Sequence, residues 1–270
     1  MRLAYQMAAP DLERSPMVTA YQKELESGFA LLEECGYRGV EFMVRSPRNW
    51  DCVKMERLCQ KYHQEIVMLA TGEIWAQEHI SLSSSDPEKR QRCITCFKEF
   101  IDLAEVYGAQ VNIGRVRGEI VSHVSREQTW QLAIEAFQDL AEYAERKNVT
   151  IILEPVNFLQ CNFINTTAEG RQVVDQVARQ NFRIMLDVFH MNIEDKDIYE
   201  EIQRSEGYFT YIHLCDRNRK YPGNSSFDFE RIIRELKNVH YDGWLSVEIL
   251  QEPDDETAVR KSAECLLPLL

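Results

Sequence analysis

Short apolar runs of strand character alternate with longer amphipathic runs from one end of this chain to the other, and that alternation leaves few folds open. The strand-like runs are RLAYQM, GVEFMV, EIVMLA, QVNIGR, VTIILE, FRIMLD, FTYIHL and WLSVEI. Strands separated by helix-length segments pair in parallel through crossover helices. Eight such units are the number of a closed (β/α)8 barrel, and 270 residues match the usual length of one. No Pro/Gly/Ser-rich linker divides the sequence. The expectation is therefore an α/β protein, a single-domain (β/α)8 TIM barrel spanning 1–270.

The helical segments carry their own signals. Trp130, Ala133, Ile134, Phe137, Leu140, Ala141 and Ala144 recur at helical spacing, so one stripe faces the barrel while Glu135, Asp139 and Glu142 face water. Capping boxes are expected at Ser85 with Glu88, Ser125 with Gln128 and Thr166 with Glu169. Ser15 followed by Pro16 reads as the start of the first helix. The Thr71–Asp86 and Asp216–Phe227 stretches read as long loops after strands, where barrels build their active sites. Trp75 in the first of them either closes over a ligand or packs on a neighbouring loop or subunit.

Composition excludes several classes of function. A net charge of −13 disfavours nucleic acid, whose phosphates call for a basic surface. No apolar run approaches the roughly 20 residues of a membrane span, and the opening MRLAYQMAAPD lacks a secretory apolar core, so a cytoplasmic protein without a membrane partner is expected. The eight cysteines lie scattered in apolar patterns, as reduced core residues do. Cys93 and Cys96 form a C-x-x-C pair inside a helical pattern, without the preceding strand of a redox motif, and are expected to pack in the core.

Four residues stand at the ends of the last four strand runs: Glu154, Asp187, His213 and Glu248. A single strand-end glutamate is commonly a helix cap or an ion-pair partner. Four on neighbouring strands converge on one point at the catalytic face of a barrel. Carboxylates brought together repel, and a cation relieves them. Oxygen-rich ligation with one nitrogen suits a hard divalent ion such as Mn²⁺ or Mg²⁺ better than zinc. Such a site suits proton transfer beside a carbonyl. Two vicinal oxygens of a hydroxyketone can chelate the ion, which stabilises an enediolate, while Glu154 and Glu248 serve as base and acid from opposite faces.

The stretch LDVFHMNIEDKDIYEEIQRSEGYFTYIHLCDRNRKYPG, preceded by LEPVN and INTTAEG and followed by YDGWLSVEIL, resembles the ketose 3-epimerases of the D-tagatose and D-psicose (allulose) type, within the xylose-isomerase-like barrel superfamily. The resemblance is dense from about Thr150 to Leu250 and looser before it. It implies a metal-dependent epimerase acting at C3 of a ketose, with Glu154, Asp187, His213 and Glu248 as metal ligands and the two glutamates exchanging the proton. It implies that His190 and Arg219 hold substrate hydroxyls, that a sugar is the small-molecule substrate, and that the chain forms a homodimer or homotetramer. The sequence departs from the family after Glu154. EPVNFLQCNFINT places Gln160 at an acidic, substrate-contacting position and puts Phe158 and Leu159 where an arginine and an aromatic are usual. An amide there keeps hydrogen bonds and loses the charge. Aldose–ketose isomerisation of the hydroxypyruvate isomerase kind, elimination from a keto-sugar and non-catalytic sugar binding are the competing outcomes. The superfamily's zinc-dependent apurinic-site endonuclease would need more than six histidines and a basic face.

Overall fold

The structure is a computed structural model and describes residues 1–270. Eight parallel strands close on themselves in chain order: β1 (Arg2–Ala8), β2 (Gly39–Met43), β3 (Glu65–Ala70), β4 (Gln110–Ile113), β5 (Ile151–Leu153), β6 (Phe182–Asp187), β7 (Phe209–Leu214) and β8 (Trp244–Val247). β1 pairs with β8 through Arg2 opposite Trp244, which completes the ring. The expected (β/α)8 TIM barrel is what forms.

Ten helices surround the strands rather than eight: α1 (Leu25–Glu34), α2 (Cys52–Lys61), α3 (Gly72–Glu78), α4 (Pro87–Tyr107), α5 (Arg126–Glu145), α6 (Thr167–Val177), α7 (Val188–Glu194), α8 (Ile198–Arg204), α9 (Phe229–Asn238) and α10 (Asp255–Leu266). The two extra ones, α3 and α7, are short helices seated on the ends of β3 and β6. The Thr71–Asp86 stretch is thus part helix, a correction to its reading as a loop. Trp75 on α3 packs against the neighbouring loop, where the Arg115 guanidinium lies 4.0 Å from its ring centre.

The first helix also starts later than Ser15. The Ser15 and Gln22 residues bond each other, Gln22 Oε1 accepting from Ser15 N at 2.9 Å and Gln22 Nε2 donating to Ser15 O at 2.8 Å. That closed turn sends the chain back along β1, with Tyr21 bridging Met7, and delays α1 to Leu25. Of the three capping boxes, Thr166 with Glu169 is complete, and Ser125 accepts from the Gln128 N–H. At α4 the cap is Asp86 instead of Ser85. Pro87 fits only the first helical position, so the residue before it must cap, and its carboxylate accepts from Glu88 and Lys89.

Two apolar cores follow from the alternation of side chains along each strand. The larger lies between barrel and helices and takes in the α5 stripe of Ala133, Ile134, Phe137, Leu140, Ala141 and Ala144, together with Cys93 of α4. A second cluster of Ala4, Val67, Met68, Ile152, Met185, Tyr211 and Trp244 fills the barrel interior from six strands. Gly39 makes room for it: a Cβ there would sit 2.8 Å from the Trp244 ring and 3.1 Å from the Ala4 side chain. Two residues further along these strands the inward side chains turn polar: Gln6, Glu41, Glu154, Asp187, His213 and Ser246. An apolar floor and a polar mouth result, with the mouth at the strands' C-terminal end. No helix is long and apolar enough to cross a membrane.

Candidate metal and sugar site

Register brings the four strand-end residues together. Asp187 pairs with His213 across β6 and β7, His213 pairs with Ser246 on β8, and Glu154 and Glu248 follow the last residues of β5 and β8. One ligand atom from each of Glu154, Asp187, His213 and Glu248 lies within 4.8 Å of the others. The first three are buried and Glu248 is partly so.

The groups around them fix their orientation. Asn112 of β4 donates to Glu154 Oε2 at 3.1 Å. Asp187 Oδ1 caps α7 by accepting from Phe189 N at 2.7 Å. Thr19, carried to the mouth by the Ser15 turn, donates its hydroxyl to Glu248 Oε1 at 2.9 Å. Glu41 on β2 accepts from His213 Nε2 at 2.8 Å. With Nε2 committed, His213 directs Nδ1 into the carboxylates: 2.9 Å from Glu248 Oε2, and 3.7 Å from both Glu154 Oε1 and Asp187 Oδ2. That nitrogen is buried and makes no aligned hydrogen bond.

An unpartnered buried nitrogen facing three carboxylates fits a divalent cation. The donor set, three oxygens and one imidazole, fits a hard cation. Glu154, Asp187, His213 and Glu248 are the residues that would hold it.

Arg219 supplies positive charge at the same place. Its Nη1 lies 3.1 and 2.9 Å from the two Asp187 oxygens, its Nη2 bonds Glu248 Oε2, and its guanidinium lies over the Phe189 ring. The loop that presents it is built on Asp216, a fully buried carboxylate that accepts five backbone N–H groups, from Arg217, Gly223, Ser225, Ser226 and Phe227. Arg219 itself adopts a left-handed backbone, φ 59°, with its carbonyl accepting from Leu250 N at 2.8 Å.

In the metal-free site these charges set the protonation, and a bound cation would replace the proton on His213 Nδ1. Burial alone would push the Asp187 and Glu248 carboxyls up, but Arg219, with His190 beside Asp187 and His213 beside Glu248, outweighs it. Asp187 is held well below the usual carboxylate range and Glu248 at about 2. Burial likewise disfavours an imidazolium at His213, yet Glu41 and Glu248 overcome it and hold its pKa well above the usual value. At His190 burial wins, and its pKa is lowered. Asn157 Oδ1 accepts from Leu159 N at 3.1 Å, which turns its Nδ2 toward His190 Nδ1 at 2.7 Å. A neutral His190 therefore carries its proton on Nε2, 3.6 Å from Glu154 Oε1 and 3.7 Å from Asp187 Oδ2, as a donor aimed at the cluster.

His190 and Arg219 thus stand in the cluster with the four strand-end residues. Gln160 does not: it is exposed in the turn after Asn157, beside the exposed Phe158 and Leu159. Sequence reasoning missed Gln6, Thr19, Glu41, Asn112, Asn157 and Arg117. Arg117 is fully buried and donates to the carbonyls of Gly114, Glu154, Phe163 and Ile164 at 2.7 to 3.0 Å, stapling the loops after β4 and β5. A signal existed for three of them: Gln6, Glu41 and Asn112 interrupt otherwise apolar strand runs, and a polar group buried there requires a partner.

Residues 29–269 match the family model described as xylose isomerase-like TIM barrel. The chain belongs to that family. It is 29% identical over 249 residues to an L-ribulose 3-epimerase of Mesorhizobium japonicum, covering 90% of this chain and 81% of the relative. It is 30% identical over 176 residues to a D-psicose 3-epimerase of Ruminiclostridium cellulolyticum, covering 62% and 59%. A solved D-allulose 3-epimerase from Methylomonas sp. superposes over 100% of this chain and 98% of its own, with a TM-score of 0.83 at 22% identity. The expected resemblance to ketose 3-epimerases, an isomerase class of enzyme, is met by these relatives.

Proposed function

We propose that this protein is a metal-dependent sugar epimerase that inverts C3 of a ketose or ketose derivative, with Glu154, Asp187, His213 and Glu248 as ligands of one divalent ion, manganese first and magnesium or cobalt after it. The observation that carries the reading is the convergence of three carboxylates and an unpartnered imidazole nitrogen at the barrel mouth. The names of the curated relatives support the epimerase outcome. A divalent ion bound there would supply Lewis acidity to vicinal carbonyl and hydroxyl oxygens, which acidifies the proton on the hydroxyl-bearing carbon next to the carbonyl.

The chain's own residues do the rest. Glu154 and Glu248 leave strands three apart on the barrel ring and face the mouth from two sides, so one removes the C3 proton and the other returns one to the opposite face. Asn112 holds Glu154 Oε2 and leaves Oε1 for the proton, whereas Glu248 carries Thr19 on Oε1 and Arg219 on Oε2 and takes the proton when the Thr19 hydroxyl turns to Gln6 Oε1, 3.3 Å away. His190 Nε2–H and the Arg219 guanidinium donate to substrate oxygens near the carbonyl, and Gln160 meets the far end of the sugar from its turn. The homodimer or homotetramer that the resemblance implies goes with this reading.

The test is a panel of pentuloses, hexuloses, their phosphates and hydroxypyruvate in D₂O with Mn²⁺, followed by NMR. Deuterium at ketose C3 together with the C3 epimer supports the proposal. Exchange at C1 alone points to 1,2-isomerisation, and an unsaturated product to elimination. A panel with no exchange at any carbon refutes it.

A further inference from the structure

Glu41 is a carboxylate with no exposed surface on β2. Burying a carboxylate is costly unless charge and hydrogen bonds compensate it, and no lysine or arginine pairs with this one. Its sole ion-pairing partner is His213, whose Nε2 lies 2.8 Å from Oε2. Two further donors complete its surroundings: the Tyr211 hydroxyl at 3.1 Å from Oε2, and Gln6 Nε2 at 2.7 Å from Oε1. Three donors thus converge on two oxygens, one of them the imidazole that faces the carboxylate cluster.

The same residues lead back to Glu248. The Thr19 hydroxyl lies 3.3 Å from Gln6 Oε1 and 2.9 Å from Glu248 Oε1, while Glu248 Oε2 is 2.9 Å from His213 Nδ1. Glu41, Gln6, Thr19, Glu248 and His213 therefore form a closed ring of polar contacts drawn from β1, the loop after it, β2, β7 and the end of β8.

We infer that Glu41 is a positioning residue that fixes His213 with its Nδ1 lone pair toward the proposed cation, and that the Gln6–Thr19 bridge holds Glu248 in register with it. The inference rests on the metal reading above. An imidazole donating to a carboxylate on one nitrogen has its tautomer and ring angle set for ligation by the other, and loss of such a partner costs about 10- to 100-fold in metal affinity. Glutamine at 41 keeps an oxygen on His213 Nε2–H and the Tyr211 hydroxyl only if Gln6 turns its amide to face the new NH₂ group, and in either orientation it loses the negative charge that sets the imidazole for ligation.

The experiment is a Mn²⁺ titration of chelator-treated full-length wild type, Glu41→Gln, Glu41→Asp and Thr19→Val, by calorimetry or by the loss of free-Mn²⁺ paramagnetic signal. Thermal unfolding in chelator is recorded alongside. Expected are Mn²⁺ binding weakened about 10- to 100-fold in Glu41→Gln, a smaller loss in Glu41→Asp, and metal-free folding retained. Thr19→Val loses the hydroxyl on Glu248 and is expected to slow C3 exchange, by up to about 100-fold if Glu248 is displaced by an ångström, with a smaller loss of Mn²⁺ affinity than Glu41→Gln; wild-type exchange in it overturns the role of the bridge. Wild-type affinity in Glu41→Gln overturns the inference and leaves the metal reading standing. A wild type without saturable Mn²⁺ binding overturns both. Should Glu41→Gln fail to fold, Glu41→Asp decides: undiminished affinity in it counts against the role.

Discussion

Replacing Glu248 by glutamine separates the two tasks assigned to this side chain, holding a cation and moving a proton. The surroundings determine how the amide must lie. Arg219 can only donate, and its Nη2 bonds Glu248 Oε2, so the amide oxygen has to take that position. Thr19 can accept as well as donate, so its hydroxyl tolerates the NH₂ group at the Oε1 position. Glutamine therefore keeps an oxygen facing the cluster, while the neutral amide cannot receive the C3 proton. Loss of a general base removes about 10²- to 10⁴-fold of rate, which is roughly 3 to 5 kcal/mol of barrier at 1.36 kcal/mol per factor of ten. Deuterium uptake at C3 in D₂O, measured at saturating Mn²⁺, should fall by that amount, while Mn²⁺ titration shows weakened yet saturable binding. Exchange within tenfold of wild type would refute the base assignment. Binding and exchange lost together would refute the argument about the amide's orientation.

Other perturbations test neighbouring parts of the reading. Gln160→Glu should change the ranking of ketoses by kcat/KM and leave Mn²⁺ affinity unaltered, because the side chain is exposed outside the cluster; a large loss of metal would place Gln160 against the ligands. Asp216→Asn should raise KM and lower the melting temperature, since an NH₂ group must then face at least two of the five backbone N–H groups, at about 1 to 3 kcal/mol for each donor left unpaired; an unchanged KM would detach the loop from Arg219's role. In chelator, stability should be retained down to the usual carboxylate value of about 4.5 and fall between there and about 2. Glu248 is depressed in the folded state, so its contribution is lost as pH drops through that window, and Asp187 acts in the same direction. Acid titration of unfolding showing stability flat across this range would contradict the Arg219 pairing. Mn²⁺ at about 100 times its Kd should add about 2.7 kcal/mol of stability, some 5 to 10 °C in melting temperature.

The barrel was legible because its signal is repeated eight times: each strand run is short, apolar and followed by a helical period, and closure needs no residue that the alternation does not supply. What the alternation could not place were the breaks in it. Ser15–Pro16 has the local chemistry of a helix start, yet its backbone is claimed by Gln22, a partner seven residues on whose choice depends on β1 being nearby. The Ser85 cap was misplaced by one residue because the constraint came from Pro87, whose fixed geometry outranks the capping-box spacing. Helix α3 is a single short element whose few residues carry no periodicity long enough to read.

At the site, strand-end position located the charged groups, since register carries Asp187 next to His213 and the barrel's curvature brings Glu154 and Glu248 to them. Position along a strand says nothing of which polar groups share an oxygen. Glu41 lies 172 residues from His213 in the chain, and Thr19 lies 229 from Glu248. Such pairs are set by the inward-facing rows of a closed barrel, where Gln6, Glu41, Asp187 and His213 reach one level at the mouth. A polar residue at an inward position, two steps above an apolar one on the same strand, is therefore the pattern that marks the groups behind the ligands. Ser246 fits that pattern and remains testable: it pairs with His213 in register, its hydroxyl is buried without a partner, and Ser246→Ala should leave Mn²⁺ affinity unchanged if Glu41 alone orients the imidazole. A tenfold loss of affinity in Ser246→Ala would give β8 a share in that orientation.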